Sequence, residues 1–176
     1  MKKLMVASAI AMIMTAGSAM ASQGEVQFFG TVTEKTCDIV VGSDNGGNVN
    51  NLIQLGSVST DGDEGNAKNI YLKPASAGSC SGITSAEVTW SSSAFNNKGI
   101  GNASQSEGAT DAYVKLTAQN SGSNTVDNTN PMVLGKTSAT FTINNIDDGL
   151  AFKASLVGGD VAGAYQSTAA YSVSYQ

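Results

Sequence analysis

The chain ends in Ala169-Ala170-Tyr171-Ser172-Val173-Ser174-Tyr175-Gln176. Tyr171, Val173 and Tyr175 alternate with serines. A period of two puts the large side chains on one face and the hydroxyls on the other, the pattern of a half-buried β-strand. The same period recurs upstream. Leu150, Phe152, Ala154 and Leu156 alternate with Ala151, Lys153 and Ser155, and Val26, Phe28, Gly30 and Val32 alternate with Glu25, Gln27, Phe29 and Thr31. Further β-prone runs lie at 36–41, 51–56, 70–72 up to Pro74, 87–90, 113–118, 132–134 and 139–143. Clusters of Gly, Asn, Asp and Ser separate them at 43–48, 61–66, 119–130, 144–149 and 158–163, with a long polar stretch at 91–110. No segment carries a helical period. Some eight or nine short strands with turn signals between them predict an all-β sandwich of immunoglobulin-like size. A closed barrel shares this strand pattern.

The N-terminus reads as a separate segment. Lys2 and Lys3 precede an apolar run from Leu4 to Met14, and Ala19-Met20-Ala21 is a small-x-small cleavage site. This is the layout of a secretory signal peptide. The apolar run is too short for a spanning helix, which needs about 20 residues. Residues 1–21 are therefore expected to be removed, leaving one domain's worth of chain.

Composition excludes several classes of function. Removing Lys2 and Lys3 from the 9 basic residues leaves 7 against 14 acidic ones, a net charge of −7. Every basic residue is Lys. Nucleic-acid binding is not expected, because neutralising phosphates needs a basic face. The chain has no His, so Ser-His-Asp and Cys-His arrangements cannot be built, and zinc or copper sites lose their commonest ligand. Asp61, Asp63 and Glu64, and Asp147 and Asp148, sit among Gly and Asn and read as solvated turns rather than as a carboxylate pair or a Ca²⁺ loop. No enzyme activity, cofactor or metal is expected. Cys37 and Cys80 are an even pair behind an export signal and read as one disulfide. Asn102-Ala103-Ser104 matches a glycosylation sequon by chance. Trp90 shares a face with Val88 and reads as core.

The two ends of the mature chain carry a more specific signal. Gly24-Glu25-Val26-Gln27-Phe28-Phe29-Gly30-Thr31-Val32, followed by Thr36-Cys37, resembles the start of type 1 fimbrial subunits of the chaperone–usher class. Gly163 stands fourteenth from the C-terminus and Tyr175 next to last, as at the end of those subunits. Ile53-Gln54-Leu55-Gly56 resembles their second-strand motif, and Cys80 falls where their second cysteine is expected. Residues 85–135 match only in general character.

The resemblance implies an incomplete immunoglobulin-like β-sandwich completed by a donated strand. It divides the chain into a signal peptide (1–21), an N-terminal donor-strand extension (22–35) and a pilin domain (36–176). Val26, Phe28, Gly30 and Val32 are then the donor face, with Gly30 letting the donor lie close to a shallow pocket. Leu150, Phe152, Ala154, Gly163, Tyr171, Val173 and Tyr175 border the acceptor groove, where a chaperone also pairs. The implied partners are identical or related subunits joined head to tail, a periplasmic chaperone and an outer-membrane usher, with a host receptor as a further candidate. The implied destination is a fimbria on the cell surface, reached through the periplasm. Without the resemblance, the same strands fit a complete, monomeric secreted sandwich whose first strand folds back on its own domain.

Overall fold

A computed structural model describes residues 37–42, 51–104 and 106–176. The strands are β1 (Ile39–Gly42), β2 (Lys68–Pro74), β3 (Ser85–Ser91), β4 (Ile100–Gly101), β5 (Tyr113–Gln119), β6 (Thr125–Val126), β7 (Ser138–Thr142), β8 (Leu150–Val157) and β9 (Ala170–Tyr175), with a single 3₁₀ turn at Ile146–Asp148. Two sheets form, in the orders β1-β2-β8-β5-β4 and β6-β7-β3-β9. Every pairing is antiparallel. The all-β sandwich expected from the alternating runs is the observed architecture.

Alternation decides which side chains fill the space between the sheets. From the first sheet come Ile70 and Leu72, Val114, Leu116 and Ala118, and Leu150, Phe152, Ala154 and Leu156; from the second come Ala86, Val88, Trp90, Ala139 and Phe141. Phe152 lies at the centre. Its ring meets Trp90 edge-on at 5.3 Å and Phe141 at 5.5 Å between centroids, the offset geometry that the aromatic quadrupole favours. The expected core role of Trp90 holds, since only 7% of its surface is exposed.

Cys37 and Cys80 form the expected disulfide across a sequence separation of 43. It ties the residues just before β1 to the turn after β2. Ala75 N donates to Asp38 O across the same turn. Asn124 anchors the β7–β8 connection. It is fully buried, its side-chain amide donates to Asn145 O and Gly149 O, and its carbonyl accepts from the backbone of Asn144 and Asn145. This satisfies four otherwise orphaned backbone groups in one turn.

Two runs differ from their sequence reading, whereas 91–110 agrees with its reading as loop or weakly paired edge. Residues 51–56 form no strand, and no strand pairs with them among the described residues; Asn51 and Gly56 take left-handed φ at the two ends of the run. Residues 132–134 make only isolated bridges, because a tight turn at Gly135 brings Val133 straight back onto Lys136. The polar stretch 91–110 contains β4, whose Ile100 is buried against β5.

Candidate functional site

A groove of about 1270 Å³ opens between two segments that lie outside the strands, residues 51–60 and 158–169. Its floor is the edge of the core, made by Ile70, Trp90, Ile100, Val114, Leu116 and Leu156. No Asp, Glu or Lys lines it. An occupant therefore meets apolar side chains, neutral hydroxyls and amides, and bare backbone.

The two walls join at one end. Gly65 N donates to Leu156 O, Gly158 N to Asp63 O, and Asp61 N to Gly159 O. Gly158 allows this closure: a Cβ there would sit 1.9 Å from Ser59 O, closer than any side chain tolerates. From this clasp the walls run apart. Ile53, Leu55 and Val58 pack against the core from one wall, but residues 51–58 make no backbone hydrogen bond among the described residues.

The other wall is bonded on one side only. Ala103 N donates to Gln166 O, and Gln166 N donates to Asn102 Oδ1. Ala164 O accepts from Asn102 Nδ2, and Thr168 O from Ser92 Oγ. Residues 164, 166 and 168 are thus tied to the body of the domain, whereas no backbone hydrogen bond of 163, 165, 167 or 169 is found among the described residues. This wall leads directly into β9, which pairs with β3 on one side and, among the described residues, with no strand on the other.

Burial pushes the Tyr165 hydroxyl up to about 12, so it stays a neutral donor to Ile100 O at 2.9 Å. Tyr175 is likewise pushed up to about 12, first by burial and then by the neighbouring Tyr171 and Asp38, and its hydroxyl donates to Cys37 O. The C-terminal end of β9 is thereby fastened beside the disulfide.

The residues expected to border an acceptor groove fall into two places. Gly163 and Ala154 line the groove. Leu150 and Phe152 are fully buried between the sheets, while Tyr171 and Val173 are half-buried on β9 and Tyr175 is buried at its end. Trp90 connects the two sets, touching Phe152 on one side and Tyr171, at 5.5 Å, on the other. Val26, Phe28, Gly30 and Val32 lie outside the described residues. Most of the floor was not singled out from sequence. Leu156 continues the alternation of β8 and was within reach of that signal. Ile100 sits in the polar stretch 91–110, where no periodicity marks it.

No family model matches the chain. It is 38% identical over 181 residues to the F107 fimbrial protein of Escherichia coli, across 100% of both chains. The chain belongs to the fimbrial protein family. In this fimbrial chain, the site among the described residues is an uncharged slot lined by apolar side chains, hydroxyls and backbone, and its flanking lengths 51–58 and 163–169 join no ladder there.

Proposed function

We propose that the chain is a non-catalytic structural subunit of an adhesive fimbria that polymerises by donor-strand exchange. The observation that carries the reading is the pair of ladder-free walls, 51–58 and 163–169, on either side of an apolar groove. A strand laid between them gains main-chain hydrogen bonds for affinity and places alternate side chains on the floor, the logic of β-augmentation. Residues 22–35 are the donor, with Val26, Phe28, Gly30 and Val32 facing the floor. Burying the apolar side chains of such a face contributes about 1.5–3 kcal/mol each before ordering costs. Because donor and acceptor are different surfaces, the contact is head-to-tail and generates an open filament rather than a closed ring.

On this reading residues 1–21 are a signal peptide and 36–176 the pilin domain. The chain passes through the periplasm, where a chaperone covers the groove and an aggregation-prone edge, and an usher delivers it to the surface. The test is deletion of residues 22–34 with the chaperone co-expressed. The expected product is a folded subunit–chaperone complex that accepts a donor but cannot extend a polymer. Normal polymerisation of the deleted chain would refute the reading. Gly30→Leu is the finer variant and is expected to block assembly while leaving the subunit folded.

A further inference from the structure

We infer that Asn102, with Thr110 and Asp111, acts as a side-chain substitute for a missing partner strand, holding the wall 161–168 so that its opposite edge is presented to the incoming donor. The inference rests on the groove being the acceptor site of the proposed polymerisation, and it assigns positioning residues to that site.

Among the described residues the wall belongs to no ladder, yet Ala164 O, Gln166 N, Gln166 O and Thr168 O are all bonded to the body of the domain. Asn102 is 5% exposed. Its carbonyl oxygen accepts from Gln166 N at 3.1 Å and its amide donates to Ala164 O at 3.4 Å. One amide side chain thus offers an acceptor and a donor to alternate residues of an extended segment, as the backbone of a neighbouring strand does. The next backbone group along, Ala103 N, continues the pattern by donating to Gln166 O. Nearer the clasp, Thr110 and Asp111 grip both polar groups of Val161. Thr110 Oγ1 donates to Val161 O at 2.6 Å, and Asp111 Oδ1 accepts from Val161 N at 2.8 Å. Thr110 is also 5% exposed.

Gly159 makes room for this latch. A Cβ on Gly159 would collide with Asp111 Oδ1, whereas one on Gly163 would make only ordinary contact with Thr110. The opposite wall has no equivalent among the described residues, where 51–58 show side-chain packing on the core and no backbone hydrogen bond. With its inward groups satisfied by Asn102, Thr110 and Asp111, the rigid wall keeps the groups of 163, 165 and 167 in register for a donor. Ordering that edge beforehand lowers the entropic cost of capture.

The test uses the full chain and a fluorescent peptide of residues 24–34 as donor probe. Asn102→Ala removes the bonds to Gln166 N and Ala164 O together with the one from its amide to Thr110 O, and Asn102→Asp keeps the acceptor but loses the donor. Asp111→Asn, at an exposed site, serves should Asn102→Ala fail to fold. Ile146→Ala, in the core and away from the groove, is the control for general destabilisation. The expected result is about tenfold weaker capture for Asn102→Ala and a smaller loss for Asn102→Asp and Asp111→Asn. Amide exchange should quicken at 163–168 while β5 and β8 stay protected. The control should lose thermal stability without losing capture beyond the fraction unfolded. Unchanged capture and unchanged exchange at 163–168 in both Asn102→Ala and Asp111→Asn, with the parent chain binding the peptide, would overturn the latch and leave the polymerisation reading intact. Equal loss of capture in Ile146→Ala would also overturn it. Failure of the parent chain to take the peptide would sink the latch together with the acceptor site it serves.

Discussion

Strands β8 and β9 have the same kind of sequence and different lives in the fold. Both alternate large apolar residues with small or polar ones. β8 lies between β2 and β5, paired along both edges, and all but Lys153 of its eight residues are buried. Among the described residues β9 pairs only with β3, and of its six residues Tyr175 alone is buried. The difference arises from neighbours, because residue types are comparable. A strand with two partners and a covered second face has its burial completed within the chain. A strand with one partner leaves half its hydrogen-bonding groups and part of its apolar face for something else. On the proposed reading the second condition is useful, because the open edge of β9 is where a partner strand would add hydrogen bonds.

The sharpest way to break this comparison is to remove the same kind of contact from each strand. Phe152→Ala deletes a fully buried ring at the junction of Trp90 and Phe141 and is expected to cost about 3–5 kcal/mol of subunit stability. Opening the disulfide with paired Cys37→Ser and Cys80→Ser substitutions is expected to cost about 4 kcal/mol through the loop it closes. It should loosen the C-terminal end of β9 before β8, because Tyr175 is fastened to Cys37 O. Val173→Ala on β9 should cost only about 1 kcal/mol, because its side chain is half-buried. Denaturant midpoints rank the three, and amide exchange separates β8 from β9. If Val173→Ala proved as costly as Phe152→Ala in the isolated subunit, β9 would not be the unfinished element argued here.

How far the sequence shows these differences follows from what periodicity can encode. Alternation identifies β3, β5, β7, β8 and β9, because each has one face on the core and that face must be apolar. It does not count a strand's partners, so nothing in Tyr171-Ser172-Val173 marks β9 as an edge. Residues 51–56 look like a strand in sequence, yet they join no ladder among the described residues, since pairing depends on what lies alongside. The disulfide was legible from Cys count and export alone. The family resemblance placed the groove along β9 and β8 with Gly163, and of those residues Gly163 and Ala154 line the groove described above. The latch was not legible: Asn102 and Thr110 stand in a polar stretch and are buried for hydrogen bonding rather than for apolar contact. A buried Asn has the same letter as a solvated one, and Asn102 had only a chance sequon to draw attention to it.

Titration offers a milder probe of the same contrast. The tyrosines with raised pKa lie on the groove side: Tyr165 in the wall, and Tyr171 and Tyr175 on β9, each raised first by burial. β8 contains none. A phenol that ionises at about 10 when unfolded and at about 12 when folded contributes stability that is complete below pH 10 and is lost as pH rises through 12. Raising the pH from 9 to 12 should therefore loosen the wall and β9 before the five-stranded sheet. The emission of Trp90, in contact with Tyr171 and Phe152, is expected to change before amide protection in β5 and β8 is lost.

The smallest expected effect lies at the acid end, where the two sides of the molecule again separate. Asp111 is held below the ordinary carboxylate range first by the backbone N–H of Val161 and then by that of Asp160, with Lys98 adding a weaker attraction. Glu64 is held low by its hydrogen bond to Lys115, at 2.8 Å, and then by Ser155, on the outer face of β5 and β8. Both groups favour the ionised form in the fold. Their contributions are therefore complete above the unfolded carboxylate pKa and disappear as pH falls through the lower folded value. Both are near solvent, so screening keeps each effect small. They act on different parts of the fold, however. Asp111→Asn should flatten the acid limb of exchange protection at 161–163 and leave β8 unchanged. Glu64→Gln should do the reverse, because its carboxylate accepts from Ser155 Oγ on β8 at 2.6 Å. Local exchange measured between pH 6 and pH 3 distinguishes them. An identical, global acid response in the two variants would mean that the wall and the central sheet open as one unit, and the contrast between β8 and the region around β9 would then hold for pairing but not for stability.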